Sequence, residues 1–168
     1  MVDQEDIHPA RLWKQMPDAE KLRAADAFWR DPEGAPQQIE AMALLAQRLK
    51  ARPRYIQGLA IEKRAHHLAH YVGMPDLLAA RLLVSYHLAH QRPMMAAFLD
   101  AVGIPHEDGL ITSEVEGGAV AAEKVTAGAK ALEASFPAGD VQRYFATLLA
   151  QDPDTWAGLE AHLKSQKT

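Results

Sequence analysis

The sequence predicts an all-α fold: a single-domain helical bundle, residues 1–168, of eight or nine short helices around a buried central helix at about 76–91. Three observations carry that prediction. Apolar residues recur at spacings of three and four along most of the chain, and no alternating run competes with them. Prolines and glycines punctuate those periodic segments. The 168 residues are 48% hydrophobic and 24% charged, ordinary proportions for a globular chain with a real core.

Pro9 and Pro17 sit where helices can begin, giving helices over about 9–15 and 17–30. Leu22, Ala25 and Trp29 form the second helix's stripe, and Asp31-Pro32-Glu33-Gly34 ends it. Pro36 opens a third helix with Ile39, Met42, Ala43, Ala46 and Leu49 on one face. Arg52-Pro53 stops it, because the residue before proline avoids the helical region. A turn over 54–58 leads to a helix at about 60–72, striped by Ile61, Ala65, Leu68 and Val72. Gly73 caps that helix, Pro75 blocks its continuation, and Asp76 caps the helix at 76–91. Pro93 interrupts the chain, and a further helix reaches Gly103.

Residues 104–109 read as a loop, and the segment around Gly117-Gly118 as a connection. Val125, Ala129, Leu132 and Phe136 mark the next helix. Val141, Tyr144, Phe145, Leu148 and Leu149 give the cleanest amphipathic pattern. The last helix starts at Asp152-Pro153 and buries Trp156, Leu159 and Leu163.

Composition narrows function. No cysteine is present, which excludes disulfides and thiolate metal sites. The N-terminal Met1–Asp6 stretch is acidic, unlike a secretory signal, and no apolar run approaches the roughly 20 residues of a membrane span. The expectation is a cytoplasmic protein with no membrane partner. The net charge is −4, yet residues 41–64 hold Arg48, Lys50, Arg52, Arg54, Lys63 and Arg64 against Glu62 alone. Such a stretch can attract phosphate, although most such runs only keep a helix end solvated. Tyr55 is the one aromatic interleaved with these cations, so nucleic acid is not the expected partner.

Five of the eight histidines lie between His66 and His90, in the echoing pieces His66-His67-Leu68-Ala69-His70 and Tyr86-His87-Leu88-Ala89-His90. Imidazole is the commonest metal ligand and a proton carrier near neutral pH. The first piece has the histidine spacing of the zincin motif, but His67 stands where that motif requires its glutamate base. Glu62, His66 and His70 form a ladder, four residues per step. A rise of about 1.5 Å per residue separates its ends by about 12 Å, so one ion could join only adjacent rungs. The segment His90-Gln91-Arg92-Pro93, followed by Leu99 to Gly103, resembles the final helix of the DinB-like metal-binding four-helix bundles. In that family an arginine follows the ligand histidine, where this chain has Gln91, and the segment here lies mid-chain.

The helix at 76–91 is apolar around its axis, so its polar residues Arg81, Ser85, His87 and His90 are the informative ones. A buried arginine stays charged and needs a carboxylate or a bound anion. The short loop at Met74-Pro75 predicts antiparallel packing of the helices at 60–72 and 76–91, with Glu62 level with His87. A carboxylate there would hold the imidazole in one tautomer, either as general base and orienter or as a structural bond. Candidate catalytic residues are therefore Glu62 and His87. Candidate ligand-binding residues are Arg81, His90 and Met94, the last beside Met95 and Phe98. Candidate metal ligands are His66 and His70, and for a metal at the Glu62/His87 seam His66 and His90 are the nearest additional ligands, with zinc or another divalent ion that favours imidazole expected.

No phosphate-binding glycine loop, nucleophile elbow or complete catalytic constellation is present. The favoured expectation is a binding or interaction module for a small ligand or a protein partner. An enzyme or metal protein using the histidine/carboxylate seam is the first alternative, and a polyanion binder using residues 48–64 the second.

Overall fold

A computed structural model describes residues 8–112 and 119–165. Met1–Asp6 and the Gly117-Gly118 connection lie outside the described residues. The fold is all-α, with ten α-helices among the described residues and one two-stranded ribbon. In chain order the helices are α1 (Pro9–Gln15), α2 (Asp18–Arg30), α3 (Ala35–Leu49), α4 (Pro53–Gln57), α5 (Ile61–Ala69), α6 (Asp76–His90), α7 (Arg92–Val102), α8 (Ala122–Ser135), α9 (Ala138–Gln151) and α10 (Ala157–Ser165). The tenth helix is α4, which the sequence reading leaves as a turn. Pro53 occupies its first turn, where a missing N–H costs nothing. Among the described residues no helix is long and apolar enough to cross a membrane.

The packing divides into two compact units, Pro9–Ala89 and the described residues from His90 onward, with His8. In the first unit α5 lies along α2, the most extensive helix–helix packing in the chain. Ala24, Ala25, Ala65 and Ala69 are all buried, and their small side chains let the two axes approach closely. Phe28, Trp29 and Leu68 fill the remaining space. Asp76 accepts from the Ala10 N–H at 3.1 Å, so it caps α1 from 66 residues away.

Three expectations about faces need correction. α2 buries Ala24, Ala25, Phe28 and Trp29, while Leu22 is 42% exposed. α3 buries Ala41, Leu45 and Ala46 and leaves Ile39 65% exposed. α6 buries one face, Leu78, Ala79, Leu82, Leu83, Ser85, Tyr86 and His87, but Leu77 is 80% exposed. An apolar residue is not obliged to be inside, since folded surfaces are themselves largely apolar. The neighbour that each helix meets decides which of its apolar stripes is covered.

Arg81 of α6 meets its expected acidic partner. The guanidinium Nη2 bonds to Asp31 Oδ2, with four-fifths of each side chain buried. Asp31 Oδ1 accepts the Glu33 N–H at 3.0 Å, capping a short 3-10 turn at Pro32–Gly34. Gln38 donates to the Asp31 carbonyl at 2.7 Å and the Phe28 carbonyl at 2.9 Å. These bonds hold the α2–α3 corner to α6.

In the second unit α8 packs on α7 and α10. Phe98, Tyr144, Phe145 and Trp156 form a buried aromatic cluster. Burial raises the pKa of the Tyr144 phenol. All five apolar residues expected of the 141–149 face are buried, as are Trp156, Leu159 and Leu163. Thr155 leads the chain toward α10 by donating to Asp152 through its hydroxyl (2.6 Å) and its N–H (3.2 Å). The hydroxyl bond first, then the N–H bond, lowers the Asp152 pKa.

The loop expected at 104–109 contains a small hairpin. His106–Glu107 pairs antiparallel with Leu110–Ile111 around Asp108-Gly109, both at positive φ. Asp-Gly suits this two-residue turn because both central residues must be left-handed. A Cβ on Gly109 would stand 2.8 Å from Met95 Cβ and 3.3 Å from the Arg92 carbonyl oxygen. Gly109→Ala should therefore cost about 1–3 kcal/mol from backbone strain alone, before the overlap is added. At Gly34, by contrast, the nearest atoms would lie at 3.4–3.8 Å, ordinary contact distances. Urea denaturation checks the contrast: a Gly109→Ala midpoint equal to the parent's would refute the reading.

Candidate functional site

α5 ends earlier than its apolar pattern suggests, at Ala69 and not near Val72. His70 leaves the helical region (φ −97°, ψ 6°) and turns back on the last turn. Its N–H bonds to the His66 carbonyl at 3.2 Å, and its ring Nδ1 lies 2.8 Å from the same oxygen. A carbonyl can only accept, so Nδ1 carries the proton. The neutral ring therefore presents Nε2 as a lone pair. A second bond that sets the tautomer in this way is what metal-ligating histidines commonly have.

The His66 and His70 rings stand one turn apart on the exposed side of α5, with centres 4.4 Å apart and planes at 39°. That separation has a chemical reading. With a zinc–nitrogen bond of about 2.0–2.1 Å, a ring centre lies about 3.2 Å from the ion. Two rings at the tetrahedral angle about one ion would then be about 5.2 Å apart, so this pair has to open by somewhat under about 1 Å to share it. His67 faces elsewhere, its ring 6.0 Å from that of His66 and inclined at 72°.

Glu62, the third rung of the ladder, does not join them. Its carboxylate is 75% exposed and accepts from Arg30 Nη2 of α2 at 3.3 Å. Arg30 also donates to Asp26 at 2.9 Å; that hydrogen bond, then the Asp26 charge, raises its pKa, with Glu62 a smaller contributor. Glu62 is held by Arg30, and α5 finds its main partner in α2. His87 is 1% exposed, with the Tyr86 ring 5.9 Å away. His90 is exposed at the end of α6, and Met94 is 2% exposed in the core of the second unit. Arg81 is paired with Asp31 through Nη2. Among the described residues no group of three or more histidine, aspartate or glutamate side chains is arranged to hold a metal ion.

The basic stretch is dispersed. Arg48 lies over the Tyr71 ring at 5.4 Å and Arg64 over the Trp29 ring at 5.2 Å, so two of its cations face aromatic rings within the fold. Lys50 ends α3 in the left-handed region, and Arg52, Arg54 and Tyr55 are exposed around α4.

Two carboxylate–imidazole pairs lie outside the histidine-rich segment and escaped sequence reasoning. His106 Nε2 bonds to Asp100 at 2.7 Å, while its Nδ1 accepts the Gly109 N–H at 3.0 Å. Both ring nitrogens are thus used, and His106 is a clasp for the hairpin. His162 Nε2 bonds to Glu133 at 2.7 Å, tying α10 to α8 with the histidine side chain 4% exposed. A lone histidine with its acid 6 or 29 residues away leaves no local pattern. Only the Asp108-Gly109 turn signal beside His106 could have been read in advance. A shallow open groove of about 500 Å³ runs along α8 past Ala122, Glu123, Thr126, Ala127 and Lys130. One helix supplies all of these residues, so no polar groups converge there from different elements.

No protein-family model, curated protein or solved structure matches the chain.

Proposed function

We propose that this protein is a binding module whose ligand is a divalent metal ion that favours imidazole, zinc foremost, held by His66 and His70. The observation that supports this reading is the pair of exposed rings 4.4 Å apart, with the His70 Nδ1–H bonded to the His66 carbonyl. Two donors on one helical turn act as a chelate, because binding to the first makes the second event intramolecular. The lack of cysteine leaves nitrogen and oxygen donors to decide the choice of metal, and imidazole suits zinc, copper and nickel over calcium or magnesium.

Calorimetric titration of tag-free protein with Zn²⁺ at neutral pH tests this. His66→Ala and His70→Ala should each weaken binding by about a hundredfold, the scale of a lost chelate partner. The double variant should fall little further, and His67→Ala should match the parent. Affinity should drop on acidification, since both ligands must be unprotonated. Zinc binding unaffected by either single substitution, or none at all, would sink the proposal.

A further inference from the structure

We infer that the metal joins two copies of this chain, each supplying His66 and His70. The inference rests on the metal-binding reading above and starts from a shortage of donors. A closed zinc site takes four ligands in a tetrahedron, and one chain offers two. Glu62 sits about 12 Å along the helix from His70 and is engaged by Arg30 at 3.3 Å. The His67 ring is turned away, and among the described residues no third donor completes a group. The coordination sphere is therefore half filled from within the chain.

A second copy related by a two-fold axis through the ion supplies the missing half with two more imidazoles, the arrangement an isologous dimer imposes. The surroundings favour this occupant over water. Val72 follows His70 by two residues, so its Cα lies within about 7 Å of the His70 Cα. Val72 is 75% exposed, and Leu77, in the first turn of α6, is 80% exposed. Glu62 and Arg30 beside His66 pair with one another, whereas the exposed Lys63, three residues before His66, leaves one positive charge on each face for the dimer to overcome. An exposed aliphatic side chain two residues from an incomplete metal site suits a protein face better than bulk solvent.

Sedimentation velocity of the full chain tests the inference, without metal and then with increasing Zn²⁺. The metal-free protein should sediment as an 18.5 kDa monomer. It should reach twice that mass as Zn²⁺ approaches half an equivalent per chain, and EDTA should return the monomer. Excess zinc should split the dimer again, because each histidine pair then holds its own ion. His66→Ala and His70→Ala should stay monomeric throughout. Val72→Ser should weaken dimerisation while zinc still binds. One zinc per monomer at every protein concentration overturns the dimer but leaves the metal-binding reading intact; no zinc binding defeats both. A dimer that forms without metal and survives His70→Ala also overturns the inference.

Discussion

Arg81→Ala should unfold at a clearly lower denaturant concentration than the parent, by about 2–4 kcal/mol. The figure lies toward the lower end of what a broken buried pair costs, because about a fifth of each partner still meets water. The loss has two sources. Asp31 would keep a largely buried carboxylate with no cation, and the α2–α3 corner that Asp31 and Gln38 organise would lose its tie to α6. Arg81 Nε is buried without a partner of its own, so the terminal nitrogen carries the interaction. Replacing both members, Arg81→Met with Asp31→Leu, should recover part of the loss, since no stranded charge remains. Equilibrium urea titration of the three variants gives the comparison. An Arg81→Ala midpoint equal to the parent's would mean that this pair contributes nothing.

Phe98→Ala should be the most damaging single change in the second unit, at about 3–5 kcal/mol, the usual cost of emptying a buried phenylalanine site. Phe98 is fully buried, with ring centres of Phe145, Trp156 and Tyr144 at 4.9, 5.6 and 5.9 Å. The site cannot easily collapse, because it is already close-packed from α8. A Cβ at Gly128 would lie 3.4 Å from the Phe98 ring and 3.0 Å from Val102. Phe98→Leu should lose less than Phe98→Ala, as it keeps most of the volume. Near-ultraviolet circular dichroism, to which Tyr144 and Trp156 contribute beside the buried Trp13 and Trp29, should lose part of its intensity in Phe98→Ala even where the far-ultraviolet helix signal stays intact. Retention of the parent's thermal midpoint would contradict the cluster's central place.

How much of the site was legible depends on the distance between its parts. His66 and His70 are four residues apart on one helix, so their adjacency follows from helical geometry alone. The tautomer does not, because it depends on His70 leaving the helix and folding back on the His66 carbonyl. The partner of Glu62 was out of reach of the sequence for a related reason. A short connection makes a hairpin of neighbouring helices probable only when no other helix offers a better face, and α2 offers α5 buried alanines and Trp29. Glu62 then met Arg30, a residue 32 positions away.

The sequence by itself determined the all-α class, most of the helix boundaries punctuated by proline and glycine though not the end of α5 or the presence of α4, and the inner faces of α8, α9 and α10. It also determined that Arg81 would need a carboxylate or a bound anion. Each of these follows from local sterics, from 3.6-residue periodicity or from the high cost of an isolated buried charge. Only the tertiary structure decided which carboxylate answers Arg81, which apolar stripe of α2, α3 and α6 is covered, and which histidines are clasps. The physical reason is that local forces set a helix and its faces, whereas a contact between distant residues depends on where every other helix comes to rest. Asp31 and Arg81, 50 residues apart, meet only after that packing is complete.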